Sequence, residues 1–197
     1  MKRIYFLLLF FVFNVISGQE KLETASDFQQ TMNKKFADST SSPLMKEDLA
    51  HFKSLDFFAI NENFIVQAVF SRIEGKNFEM KTTTDRKPMY RVYGELKFKI
   101  GGKDLKLMVY QNLDLMKKPG YEDYLFLPFS DLTNGKETYI GGRYLDMRIP
   151  KSNEVIIDFN KAYNPYCAYN YKYSCPIVPL ENDLDIEIKA GVKKFHD

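Results

Sequence analysis

The stretch YRVYGELKFKIGGKDLKLMVY, residues 90–110, constrains the fold more than any other part of the chain. Leu96, Phe98 and Ile100 alternate with Glu95, Lys97 and Lys99, the period of a strand with one buried face. Gly101-Gly102 is a two-residue turn of the type hairpins prefer. Such a turn sets residue 100 opposite 103, and therefore 98 opposite 105 and 96 opposite 107. Leu105, Leu107 and Val109 then join Leu96, Phe98 and Ile100 on one face. A slip of one residue would turn one strand's apolar set toward water, so turn length and hydrophobic register specify the same pairing.

Period-two segments recur along most of the chain. Phe64, Val66, Ala68 and Phe70 alternate with Ile65, Gln67, Val69 and Ser71, and FEMKTTT, 78–84, is a further strand candidate. YLFLPF and ETYIGGRYLDMRI flank a second turn candidate, Asn134-Gly135, and EVIIDF reads as a short buried strand. In NDLDIEIKAG, Leu184, Ile186, Ile188 and Ala190 alternate with Asp183, Asp185, Glu187 and Lys189, which predicts a half-buried antiparallel strand. No strand–helix alternation points to a parallel sheet. The fold class is therefore mainly β, an antiparallel barrel or sandwich of about eight or nine strands with two short N-terminal helices.

The helices are expected early. Ser26-Asp27-Phe28-Gln29 reads as a capping box, and Phe28, Met32 and Phe36 form an apolar stripe at helical spacing. DSTSSP, 38–43, ends that helix, and Ser42 with Pro43 suits the cap and first position of a second one. Residues 19–52 thus form a helical segment and 56–197 the sheet, in a single domain spanning 19–197. A chain of that length buries roughly 70% of its unfolded surface, enough for a core without metals.

The opening MKRIYFLLLFFVFNVISGQEK has a basic start, an apolar run and small residues before a polar segment, the layout of a signal peptide over 1–18. The alternative is an uncleaved N-terminal anchor, although the apolar run is shorter than the ~20 residues of a spanning helix. Cleavage predicts an exported protein, periplasmic or secreted, without a stable membrane anchor; the short MKR start suits a bacterium. Losing Lys2 and Arg3 leaves equal numbers of basic and acidic side chains, which gives no support for nucleic-acid binding. In an oxidising compartment Cys167 and Cys175 are expected to pair as a disulfide closing a nine-residue loop. The other reading, a reactive thiol, lacks a well-placed base: His51 falls in a helix and His196 next to the end.

Candidate chemistry concentrates between Tyr124 and Cys175. Asp131, Thr133, Asn134 and Glu137 only partly match a calcium loop; the other reading is a turn at Asn134-Gly135 held by Asp131 and Thr133. No metal or cofactor is predicted, because zinc ligands are lacking. Gly141-Gly142 inside a strand pattern suggests a bulge or a close backbone approach, either of which can re-aim Arg143. A buried guanidinium needs partners, for which Asp158 and Glu137 are the candidates. Arg143 is then either one half of a structural pair or the anion-binding floor of a pocket. DFNKAYNPYCAYNYKYSCP, 158–176, holds five tyrosines, three asparagines and both cysteines. Its asparagines favour turns, and its tyrosines supply flat faces with polar rims. It is either a structural lid or a surface for a small molecule or glycan.

PFSDLTNGKETYIGGRYLD, VIIDFNKAYNPYCAYNYKYSCPIVPLEN, AGVKKF and the earlier SPL, 42–44, resemble the pattern of DUF1684, a domain family of unknown function. The resemblance implies a recurring set at Gly142, Arg143, Tyr144, Asp158, Asn160, Tyr163, Asn164, Pro165, Cys167, Cys175, Pro176 and Asn182. Val192 and Tyr166 depart from it, where the family more often has glutamate and proline. The resemblance implies no activity. The expected function is binding of a small anionic or sugar-like ligand through Arg143, Tyr144, Asp158, Asn160, Tyr163, Asn164, Asn182 and Glu137. The alternatives are a hydrolase using two of Asp131, Glu137, Asp146, Asp158 and Glu181, and a structural or interaction protein of the cell envelope.

Overall fold

A computed structural model describes residues 23–196; the expected signal segment lies outside them. The described chain runs α1 (Ala25–Ala37), α2 (Lys46–His51), β1 (Ile65–Arg72), β2 (Asn77–Glu79), β3 (Met89–Ile100), β4 (Lys103–Asn112), β5 (Tyr124–Asp131), β6 (Arg143–Arg148), β7 (Glu154–Asp158) and β8 (Asp183–Leu184). These eight strands form one sheet in the order β6-β5-β4-β3-β1-β7, with β2 on β3 and β8 on β5. The sheet is antiparallel except for β5–β8 and curls into a half-barrel around its main core.

The β3–β4 hairpin has the register its turn length predicts: Ile100 faces Lys103, Phe98 faces Leu105 and Leu96 faces Leu107. Both turn glycines take positive φ, 57° and 81°, the backbone of a tight hairpin turn that side chains with a Cβ disfavour. A register shift between Val92 and Gly94 bends the long β3, as bulges do.

β5 explains why YLFLPF is apolar without alternation. Leu125, Leu127 and Phe129 pack into the concave core with Leu96, Leu107, Val109 and Phe159. Phe126 faces the other way, into a second cluster with Tyr90, Tyr110 and Tyr144. Burial on both faces removes the polar positions. β5 also carries Pro128, although it lies between β4 and β6. Proline cannot donate to a ladder, and β4 and β5 register only at Tyr110–Phe126. The Asn182 side chain fills this gap: its Oδ1 accepts from Met108 N at 2.7 Å, and its Nδ2 donates to Met108 O at 2.8 Å and Pro128 O at 2.6 Å.

Several local expectations are corrected. The capping box of α1 is Thr24 with Asp27, two residues before the expected start. α2 begins after Met45 with no side-chain cap, so Ser42 and Pro43 precede it; the Ser42 hydroxyl instead donates to Phe36 O at 2.7 Å. Asn134-Gly135 is not the turn between two strands. It sits in a longer β5–β6 connection, 132–142, and Gly141-Gly142 closes that connection rather than bulging a strand. β7 is a sheet edge with Ile156 66% exposed, not a buried strand. The C-terminal alternation does bury Leu184, Ile188 and Ala190 while exposing Asp183, Asp185, Glu187 and Lys189. Only two of its residues form ladder pairs, and they run parallel to β5, because the segment returns to the sheet through a loop and not a hairpin.

Candidate functional site

Arg143 begins β6 on the face it shares with Leu145 and Met147, which turns it into the concave core. It is 0% exposed. Gly142, at φ 85°, precedes it, and a Cβ there would lie 2.7 Å from Phe129 O. The backbone therefore has to be glycine for Arg143 to enter the core at this angle. The guanidinium binds Asp131 Oδ2 at 2.7 Å and Ile188 O at 2.8 Å through Nη2, and donates to Ala190 O through Nη1. Burial lowers the Arg143 pKa, against the pull of Asp131. The other carboxylate oxygen, Oδ1, accepts from Thr133 N at 2.9 Å, Thr133 Oγ1 at 2.6 Å and Ile188 N at 3.2 Å. The turn bonds expected of Asp131 and Thr133 exist, but they serve a sealed ion pair that ties the C-terminal segment to β5 and β6. The partner is Asp131, not the expected Asp158 or Glu137. Glu137 lies 3.5 Å from Lys189 at the surface.

The asparagines of the expected set are internal braces as well. Asn160, Asn164 and Asn182 are each 0% exposed. Asn160 Oδ1 accepts from Asn61 N at 2.9 Å and its Nδ2 donates to Asn61 O at 3.0 Å. Asn164 Nδ2 donates to Lys193 O at 2.9 Å. Asp158 caps the turn at 159–161, accepting from Asn160 N at 3.0 Å and Asn160 Nδ2 at 2.9 Å. Cys167 and Cys175 are free thiols in the structure; the Cys175 Sγ instead accepts a hydrogen bond from Cys167 N at 3.2 Å.

What remains of the expected set, Tyr144 and Tyr163, opens onto the outer face of the sheet. There a cavity of about 390 Å³ lies between the sheet, α1 and the cysteine loop, within the range of small-molecule pockets. Tyr90, Tyr124, Phe126, Tyr144 and Asp146 form the sheet side. Phe28, Met32, Lys35 and Phe36 come from α1, and Tyr163, Tyr166 and Tyr173 to Pro176 from the loop. The Phe28–Met32–Phe36 stripe read as a packing face is thus also one wall. Rings meet edge to face, Phe126 with Tyr144 at 4.7 Å and Tyr144 with Tyr163 at 5.9 Å.

Asp146 is the carboxylate among these rings. Its Oδ1 accepts from Tyr124 OH at 2.7 Å and from Tyr163 OH at 2.5 Å. Its Oδ2 accepts no hydrogen bond among the described residues. Burial, reinforced by the Asp146 charge, raises the pKa of both hydroxyls, so they remain donors. The Tyr144 hydroxyl donates to Pro176 O, and burial raises its pKa also. Lys35 at the rim lies 2.5 Å from Tyr166 OH. A carboxylate with one free oxygen, ringed by tyrosine faces, can accept hydroxyl donors while the rings cover apolar surface.

From the sequence, Asp146 stands only among the hydrolase candidates, and Tyr90, Tyr124 and Lys35 are not among the site candidates. Asp146 lies two residues after Tyr144 on the same strand face, the spacing that would have joined them. A second cavity, of about 280 Å³, is bordered by β6 and β7 and includes both Asp146 and Asp158. No group of three or more acidic, histidine or cysteine side chains suited to a metal ion occurs among the described residues. No described helix is long and apolar enough to cross a membrane.

The family described as "Protein of unknown function (DUF1684)" matches residues 50–193, and the chain belongs to it. A comparison with curated proteins finds no match. Among solved structures, the chain is similar to an uncharacterized protein of Haloarcula marismortui determined by solution NMR. The two share 29% identity at a TM-score of 0.66, over 84% of this chain and 89% of the other.

Proposed function

We propose that this DUF1684 protein is an exported binding protein that holds a small sugar-like ligand in the tyrosine pocket around Asp146. The observation that carries the reading is the Asp146 carboxylate, with Oδ1 held by two tyrosine hydroxyls and Oδ2 free. Vicinal hydroxyls of a saccharide would donate to Oδ2, and the tyrosine rings would pack against its C–H faces. The anionic class of ligand rested on Arg143, which is 0% exposed and bound to Asp131. Export rests on the N-terminal layout of charged, apolar and small residues.

A panel of neutral mono- and disaccharides, sugar phosphates and uronic acids, read by the thermal midpoint of the purified protein, tests this. Neutral saccharides are expected to raise the midpoint. Asp146→Asn is expected to fold at a midpoint close to the parent's, because Asp146 is exposed, and to lose the response. Absence of any neutral-saccharide response, or a response unchanged in both Asp146→Asn and Tyr163→Phe, would overturn the reading.

The second reading is a carboxylate hydrolase. Asp131 is sealed by Arg143, Glu137 pairs with Lys189, and Glu181 accepts from Tyr110 OH at 2.8 Å. Asp146 and Asp158 share the cavity between β6 and β7 and would be the acid and base. New reducing ends released from an oligosaccharide by the parent, and abolished in Asp158→Asn, would favour it. An envelope interaction role would instead be favoured by a protein that binds no small molecule.

A further inference from the structure

We infer that Cys167 and Cys175 form a thiol–disulfide exchange site beside the tyrosine pocket, with Cys167 as the attacking sulfur and Cys175 as the resolving one. The disulfide so formed staples the pocket wall that carries Tyr166 and Tyr173.

The two cysteines are held differently. Cys175 is buried, 7% exposed, and pinned to the 82–83 segment: Thr83 N donates to Cys175 O at 2.9 Å and Cys175 N to Thr83 Oγ1 at 3.1 Å. Its sulfur lies 3.2 Å from Cys167 N. Cys167 sits half-buried in the short 3-10 turn Tyr166–Ala168, with its sulfur 3.8 Å from the Tyr139 hydroxyl. A half-buried cysteine beside the Tyr139 hydroxyl and a buried cysteine next to it is the division of labour that exchange requires.

The titration of the pair runs the same way. Hydrogen bonding from the Cys175 thiol lowers the Cys167 pKa to about 6, and the same bond together with burial raises that of Cys175. The bond between them thus favours the thiolate on Cys167 and the thiol on Cys175.

The co-reactant is a disulfide, R–S–S–R. The Cys167 thiolate attacks one of its sulfurs, an S–S bond breaks, and R–S⁻ leaves. Cys175 then gives its proton to solvent, and its sulfur attacks Cys167 in the mixed disulfide; the second R–S⁻ leaves. The protein dithiol is oxidised by two electrons and the external disulfide is reduced by two. The new bond closes residues 167–175 into a ring that contains Tyr173. Tyr166 is the neighbour of Cys167, its ring 5.2 Å from that of Tyr173, and Cys175 itself lines the pocket. Thiol state is measurable with no ligand present, so this inference stands or falls separately from the sugar-binding reading.

Reduced protein incubated with oxidised glutathione and read by intact mass tests the chemistry. The parent is expected to lose two hydrogens and retain no glutathione. Cys175→Ser is expected to stop at a glutathione adduct on Cys167, and Cys167→Ser to react at least about ten-fold more slowly. Alkylation of the parent by iodoacetamide is expected to rise through a pH of about 6. A parent that keeps both thiols or accumulates glutathione adducts would overturn the inference, as would Cys167→Ser reacting as fast as Cys175→Ser. Slower amide exchange across 166–173 in the oxidised protein is expected; equal exchange in both states would overturn the stapling.

Discussion

Replacing Arg143 with methionine would leave the Asp131 carboxylate inside a core where both side chains are 0% exposed. Removing one partner of a buried pair costs about 3–5 kcal/mol, because the remaining charge stays without compensation. Arg143→Met is therefore expected to lower the unfolding free energy by that amount in urea titration. The double variant Arg143→Met with Asp131→Leu is expected to lose less than the two single variants added together, since neither charge is then stranded. The aromatic sequence around Arg143 and its burial are compatible with either a ligand-binding or a structural arginine. The distinction comes from Asp131 lying twelve residues earlier and from the carbonyls of 188 and 190.

Among the elements, the β3–β4 hairpin was legible because its information is local: the turn, the alternation and the pairing all lie within residues 90–110. The β4–β5 contact was not. Pro128 breaks the ladder there, and the repair comes from Asn182, far along the chain. Asn182→Ala would leave Met108 N, Met108 O and Pro128 O without that side chain. An unsatisfied buried polar group costs about 1–3 kcal/mol. The expected outcome is faster hydrogen exchange at the Met108 amide and a stability loss of at least that size, with the β3–β4 amides remaining protected. The C-terminal segment teaches the same lesson. Alternation identified which of its residues face the core, but not its parallel direction beside β5, since a side-chain pattern reads the same in either orientation.

Over the whole molecule, the tyrosines couple the pocket to alkaline stability. Burial raises the pKa of Tyr124, Tyr144, Tyr163 and Tyr110, and burial with Cys167 raises Tyr139 to about 12. An unfolded chain releases tyrosine protons from a pH of about 10, while the folded chain retains them. Above that pH the unfolded state binds fewer protons, so stability falls as pH rises; below it, these groups are protonated in both states and contribute no slope. Urea midpoints are expected to be insensitive to these tyrosines up to a pH of about 10 and to fall beyond it, with tyrosinate absorbance appearing as the chain unfolds. Tyrosinate absorbance from all of them at a pH of about 10 in protein that remains folded would contradict the buried, hydrogen-bonded arrangement.

The linear sequence determined the β-rich class, the hairpin register, the core-facing residues of the C-terminal segment and the family, because alternation, turn chemistry and motif spacing are properties of neighbouring residues. It also marked the tyrosine-rich loop. Tertiary structure alone decided that Arg143, Asn160, Asn164 and Asn182 turn inward and that Asp146 gathers Tyr124 and Tyr163. Those outcomes depend on the sheet's curl and on partners from α1, β5, the cysteine loop and the C-terminus meeting in space. A buried polar side chain is identified by the groups that satisfy it, and here most of those groups are distant in sequence.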